Sequence, residues 1–201
     1  MQLHNLFPIP IAFFDLDREL TELERKFIDK QKVRPNMGNA SSEDNYVLEN
    51  KNLSNLKSFF EDSIAEYFTA TYNPRNDVKL AITQSWINYT KHGEYHHKHA
   101  HPNSVVSGVF YIQSDNTSDT IHFYNEKYHQ IKFEPKEFNA YNSESWWFES
   151  IQGRLLLFPS SLAHMVETRA SNEATRISLS FNTFPIGHIG DNIKLTELII
   201  R

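Results

Sequence analysis

The spacing of hydrophobic and polar positions changes character partway along the chain, near Leu80. Before it, Leu6-Phe-Pro-Ile-Pro-Ile-Ala-Phe-Phe14 is apolar and broken by proline. Pro8 and Pro10 lack the N–H that a strand ladder needs, so the stretch predicts an edge strand or an extended arm laid on the core. Between Asp17 and Lys30, Leu20, Leu23, Phe27 and Ile28 recur at helical spacing and predict an amphipathic helix. Residues Gln31 to Asn45 are rich in Asn, Ser, Gly and Pro and read as a long polar connector, with a lid over a site as the alternative. The clearest helix follows. Leu53, Leu56, Phe59, Phe60, Ile64 and Tyr67 form its apolar stripe, Asn52 or Ser54 is placed to cap it, and Asn73-Pro74 ends it.

After Leu80 the period shortens to that of strands. Leu80–Tyr89, Ser104–Gln113, Thr120–Tyr124, Gln130–Phe133, Arg154–Phe158, His164–Thr168 and Thr175–Phe184 are the candidates. Short strands divided by Asn, Ser, Asp and Pro turns predict an antiparallel sandwich or jelly roll. Helices first and strands afterwards give a mainly β (α+β) domain with the N-terminal helices packed on one sheet. Residues 1–75 then supply the arm and supporting helices of a single domain spanning 1–201, and 80–185 its jelly-roll core.

Composition narrows the chemistry. A chain of 201 residues is long enough to bury a substantial core. A formal charge of -5 offers no basic field for phosphate backbones, so nucleic acid is not an expected partner. There is no cysteine, which excludes disulfides and leaves only nitrogen and oxygen ligands for any metal. The start Met1-Gln-Leu-His-Asn-Leu-Phe-Pro does not read as a secretory leader, and no apolar run is long enough to span a membrane. The expectation is a cytoplasmic protein without a membrane partner.

Within that background one segment stands out. Gly93-Glu-Tyr-His-His-Lys-His-Ala-His101 carries four of the chain's ten histidines. Neutral imidazole is the nitrogen ligand of borderline transition metals at physiological pH. Strict alternation along a strand puts His97, His99 and His101 on one face and His96 on the other. His99 and His101 are the preferred ligands, with His96 and His97 as bystanders or supporting groups. His164, which opens a strand after a short turn, offers a third ligand. On Thr175–Phe184 the same alternation lines Arg176, Ser178, Ser180 and Asn182 on a polar face opposite Ile177, Leu179 and Phe181. A guanidinium beside hydroxyls is a bidentate receptor for a carboxylate.

The order His99-x-His101, distant His164 and then Arg176-x-Ser178 resembles the iron(II)/2-oxoglutarate-dependent dioxygenases. Their usual pattern is His-x-Asp/Glu, a distal His, and Arg or Lys about a strand further on. More narrowly, the chain is similar to the oxygenase family related to prolyl hydroxylases that occurs in bacteria and marine phages. The matching stretches are Leu6-Phe-Pro, Trp86–Tyr89, Gly93, His99–Tyr111, Phe158-Pro-Ser160, His164 and Arg176–Asn182.

This resemblance implies a double-stranded β-helix that uses iron(II), 2-oxoglutarate and dioxygen. It would couple decarboxylation of 2-oxoglutarate to succinate with hydroxylation of a small-molecule or peptidyl substrate, prolyl among the options. His99, His101 and His164 would hold the metal, His101 occupying the place of the usual carboxylate, with Asp119 or Glu94 as alternative carboxylate donors. Arg176, Ser178 and Tyr111 would hold the distal carboxylate of 2-oxoglutarate, with Asn88 and Tyr89 contributing. A phage-encoded protein of this kind would act in the host cytoplasm. The competing readings are a three-histidine cupin-type metalloenzyme without 2-oxoglutarate and a non-catalytic metal-binding jelly roll. The run Trp146-Trp147-Phe148 reads more readily as core or sheet packing than as a substrate-facing loop.

Overall fold

In a computed structural model, residues 1–125, 131, 133–170 and 174–201 are described. The chain opens with β1 (Ala12–Asp15) and α1 (Glu22–Asp29). Then come β2 (Val33–Pro35), β3 (Ala40–Ser42), two 3-10 turns (Val47–Glu49 and Lys51–Leu53) and α2 (Ser54–Tyr72). The strand region comprises β4 (Val78–Thr90), β5 (His96–His99), β6 (Val106–Gln113), β7 (Thr120–Tyr124) and β8 (Ser145–Glu149). It ends with β9 (Arg154–Pro159), β10 (His164–Val166), β11 (Arg176–Ile189) and β12 (Leu198–Ile200).

These strands form two antiparallel sheets of a jelly roll. The larger runs β1-β9-β6-β11-β4-β3-β2, with β12 paired to the far end of β11, and the smaller runs β5-β10-β7-β8. Two hydrophobic clusters use the two faces of the larger sheet. On its outer face Leu56, Phe60, Ile64 and Tyr67 of α2 pack on Ile87, Phe110, Leu155, Leu157, Leu179 and Phe181. Between the sheets, Val109, Tyr111, Leu156 and Phe158 meet Ile121 and Phe123 of β7. Alternation along β6, β9 and β11 thus sends successive side chains to the helix layer and to the inter-sheet space. The predicted α+β jelly roll with helices on one sheet is what the residues build.

Several local expectations are corrected. The first helix begins only at Glu22, because Thr21 and Glu24 form a capping box that fixes its start, and Leu20 lies before it. The second helix is capped by neither Asn52 nor Ser54: Leu53 is its N-cap and makes no side-chain bond there. Asn50 instead accepts from the Asn52 N–H at the preceding 3-10 turn. Asn73 closes α2 in the left-handed conformation that asparagine tolerates. The polar stretch 31–45 is not a plain connector. It contains the β2–β3 hairpin, which extends the larger sheet beside β4.

The apolar N-terminal stretch does supply an edge strand, limited to Ala12–Asp15. Trp146-Trp147-Phe148 is a strand, not a loop, and it does not bury its indoles: Trp146 and Trp147 stay exposed on β8. Of the expected strand Gln130–Phe133, Gln130 and Lys132 lie outside the described residues, and Ile131 and Phe133 are exposed and not part of a strand.

Candidate metal centre

The chain reaches the site through a turn at Lys91–Glu94, where Gly93 adopts φ +78° and the Glu94 N–H donates to the Lys91 carbonyl. That left-handed backbone suits glycine, which has no Cβ to clash. β5 then pairs with β10, His164 opposite His99 and Val166 opposite His96. Two steps along β10 therefore match three along β5, which is a β-bulge. The extra residue defeats simple alternation. His96 and His99 both line the cavity between the sheets, while Lys98 reaches out over the Tyr124 ring. The expectation that His96 faces away is overturned, and the bulge is the reason.

After β5 the chain turns through His101–Ser104, with Asn103 at φ +55°. The His101 N–H donates to the Ser160 carbonyl. Behind this turn the hydroxyls of Ser104, Ser107 and Ser160 and the carbonyl of Asn182 form a chain of hydrogen bonds 2.7–2.9 Å long. The backbone that carries His101 is thereby tied to β6, β9 and β11.

Ligand atoms of His99, His101 and His164 lie within 4.8 Å of one another, the spacing at which three nitrogens can share one ion. His99 Nδ1 sits 2.7 Å from the His97 carbonyl oxygen, and His164 Nδ1 sits 3.0 Å from that of Leu162. A carbonyl only accepts, so each Nδ1 carries the proton and each Nε2 is left as the ligand atom. The same contact, to the carbonyl two residues earlier, orients both rings.

Burial holds all of these imidazoles neutral. It is the largest cause in each case, with repulsion from neighbouring histidines adding to it. His101 is lowered to about 3, His164 to about 4 and His96 to about 2; His99 is also lowered, with its bond to the His97 carbonyl opposing the shift. Neutral imidazole is the form that binds metal. The two carboxylates considered as alternative donors are elsewhere. Asp119 is buried in an ion pair 3.0 Å from Arg169, and Glu94 accepts from the Lys91 N–H on the turn. Among the described residues, neither joins the three histidines as a metal-competent group.

The larger sheet supplies the facing wall. Ser178 on β11 is the cross-strand partner of both Asn88 on β4 and Tyr111 on β6, and Arg176 is the partner of Thr90. Cross-strand partners share a face, so Asn88, Ser178, Tyr111 and Arg176 line one cavity with His96, His99, His101 and His164. Its space, mouth included, is about 460 Å³.

Arg176 is 3 % exposed; its Nη2 donates to Thr90 Oγ1 at 3.2 Å, while Nε and Nη1 have no partner among the described residues. Burial pulls the guanidinium below its usual range. The Tyr111 hydroxyl is likewise buried, with no partner at full hydrogen-bond geometry among the described residues, and burial raises its pKa against smaller opposing pulls from the nearby Ser150 hydroxyl and from Arg176. Tyr89 does not belong here. It points to the opposite face, packs on the helix-side core and donates to the Ile28 carbonyl at 2.7 Å. Alternation from Asn88 requires that outcome.

Sequence reasoning missed His96 and Thr90. Thr90 continues the inward row of Trp86 and Asn88, so period two could have found it. His96 had no such signal, because a bulge is set by pairing with β10. Trp86 stands at the wall beside His101, ring centroids 5.8 Å apart.

Comparisons agree with this geometry. A search of curated proteins finds no match to the chain. Among solved structures, HygX from Streptomyces hygroscopicus with nickel and 2-oxoglutarate bound superposes with TM-score 0.60 at 10% identity, covering 87% of this chain and 82% of that one. An oxidoreductase of the 2OG-Fe(II) oxygenase family from Burkholderia pseudomallei gives 0.57 at 14% identity, with 81% and 77% covered. A Pseudomonas putida prolyl-4-hydroxylase gives 0.52 at 11% identity, with 87% and 92% covered. These are likenesses of fold. Residues 84–182 match the family described as "Putative 2OG-Fe(II) oxygenase". Every residue lining the cavity falls within that segment, and the segment that builds the site belongs to the 2OG-Fe(II) oxygenase family, enzymes that use iron(II), 2-oxoglutarate and dioxygen.

Proposed function

We propose that this oxygenase holds its iron with His99, His101 and His164 and grips the distal carboxylate of 2-oxoglutarate with Arg176, assisted by Tyr111 and Ser178. One observation carries the reading: the Arg176 guanidinium is buried with two nitrogens unpartnered among the described residues. A buried guanidinium with no carboxylate bonded to it among the described residues costs several kcal/mol (roughly 3–5 when a pair is broken), which supports a cavity that receives an anion. The Tyr111 hydroxyl, which makes no well-formed hydrogen bond among the described residues, supports the same reading as a donor to that group.

The donor set fits a divalent metal. Three neutral imidazoles, two of them with the tautomer fixed by a backbone carbonyl, would leave positions on an iron(II) centre open to other ligands. When bound, iron with 2-oxoglutarate and dioxygen supplies the oxidising power that inserts an oxygen atom into substrate. The protein's residues do the rest. The carbonyls of His97 and Leu162 keep the Nε2 atoms of His99 and His164 aimed at the metal position. Arg176, Tyr111 and Ser178 set which end of the dianion points away from the metal. Ile121, Val109 and Phe158 form the apolar part of the cavity wall, which limits water there. Because His101 contributes no charge, the site carries one negative charge fewer than a two-histidine, one-carboxylate site.

The substrate in this reading is a small molecule or a peptide side chain that enters on the Trp86 and His101 side. The test is titration of the purified protein with iron(II) or nickel(II) under anaerobic conditions, followed by N-oxalylglycine, a non-reactive 2-oxoglutarate mimic. One metal per chain and metal-dependent binding of the mimic are expected, both lost with the cavity residues. A metal that binds without conferring affinity for the mimic would instead favour a three-histidine enzyme independent of 2-oxoglutarate.

A further inference from the structure

The fourth cavity histidine has no role in the scheme above. His96 is brought inward by the bulge on β5, where three steps along the strand match two along β10. Its ring stacks on His99, with centroids 4.6 Å apart and planes 20° from parallel. It lines the same cavity as Arg176, Tyr111 and Asn88. Yet it is not a member of the His99–His101–His164 group, whose ligand atoms converge without it. Its ring makes no hydrogen bond to any described residue, unlike His99 and His164, whose Nδ1 atoms are both engaged.

Imidazole has at least one N–H whether neutral or protonated. A half-buried ring with an uncommitted donor, lining a cavity that in this reading receives an anion, has an evident partner. Resting on the metal-plus-2-oxoacid reading, we propose that His96 is a cosubstrate-binding residue whose ring N–H donates to a carboxylate oxygen of the 2-oxoacid. The bulge then has a function: it adds a donor to the cosubstrate wall without changing the ligand set. Stacking on His99 fixes the ring plane, so the donor needs little ordering when the anion arrives.

The test separates metal binding from cosubstrate binding, using nickel(II) and N-oxalylglycine with the full chain. His96→Phe keeps an aromatic ring against His99 but removes both nitrogens; His96→Gln restores an N–H donor; His96→Ala serves if the Phe variant does not fold. Loss of a hydrogen bond to a charged acceptor predicts about tenfold or greater weakening of N-oxalylglycine in H96F or H96A. Nickel affinity is expected to stay within about threefold of the parent, and H96Q to recover most of the lost mimic affinity. Two outcomes overturn the proposal: unchanged mimic affinity in H96F and H96A, or nickel affinity falling as steeply as when a triad histidine is removed. The second would make His96 a ligand, in the alternative group it forms with His97 and His99. Failure of the parent protein to bind the mimic at all, with nickel bound, would mark failure of the cosubstrate reading itself.

Discussion

His96 lies face to face with His99, ring centroids 4.6 Å apart, although the two are an odd number of residues apart on one strand. Regular alternation would place them on opposite faces. The bulge against β10 reconciles the two facts, and it sits on the edge strand of the smaller sheet, where an extra residue disturbs one ladder only.

The three proposed ligands are separable from their neighbours by metal affinity. His99→Ala, His101→Ala and His164→Ala should each weaken nickel(II) binding by more than about 100-fold, beyond the loss usual for residues that only support a ligand. His92→Ala, on the exposed turn, should leave it unchanged. Trp86 emission is a convenient probe, because its ring lies 5.8 Å from that of His101. Equal affinity in His101→Ala and the parent would remove His101 from the set.

Restoring a carboxylate is a second test of that position. In His101→Asp the added negative charge should hold a divalent ion more tightly than His101→Ala does, and no less tightly than about tenfold below the parent. Competition against a colorimetric chelator measures it.

Arg176 should show opposite effects on stability and binding. Its buried, half-partnered charge is a cost in the metal-free protein, and apolar replacement of such groups is often neutral or stabilising. Arg176→Met is therefore expected to unfold at the same or higher urea concentration. N-oxalylglycine affinity should meanwhile fall by about 100-fold, the scale of losing one partner of a buried hydrogen-bonded charge pair. A destabilised Met variant that still binds the mimic would contradict the reading.

Gly108 tests the packing beneath the site. A Cβ there would meet the Phe181 ring at 2.3 Å, and Phe181 is itself stacked on Phe60 at 5.2 Å, so the ring has no room to retreat. Gly108→Ala should cost about 1–3 kcal/mol as an overpacked core does. Denaturant unfolding reads it directly.

Acid should weaken the metal-free protein before its carboxylates titrate. His101 and His164 fall to about 3 and about 4 in the folded state against 6.5 for the free side chain. Between those values the unfolded chain binds more protons, so stability is lost as pH falls from about 6.5 towards 4. Each histidine contributes a slope of up to about 1.4 kcal/mol per pH unit. Urea midpoints measured in metal-free buffer across that range should fall; a flat profile would contradict the burial of these rings.

Much of this was legible along the chain. Alternation on Thr175–Phe184 identified the Arg176 and Ser178 face, and proline placement identified the edge strand, because both depend only on local backbone geometry. The apolar stripe of α2 marked its buried face for the same reason. Tyr89 was read into the site although alternation from Asn88 excludes it.

What the sequence determined by itself was the inventory: a jelly roll with helices on one sheet, no thiolate ligands, and histidines and one arginine in the right order. What only the tertiary structure decided was convergence. His164 joins His99 because β10 pairs with β5, and Tyr111 joins Asn88 because both flank Ser178 on β11. His96 enters because that pairing leaves one residue over. The guanidinium of Arg176, with two nitrogens unpartnered among the described residues, is likewise a property of the assembled cavity, since its burial exists only when distant strands have closed around it.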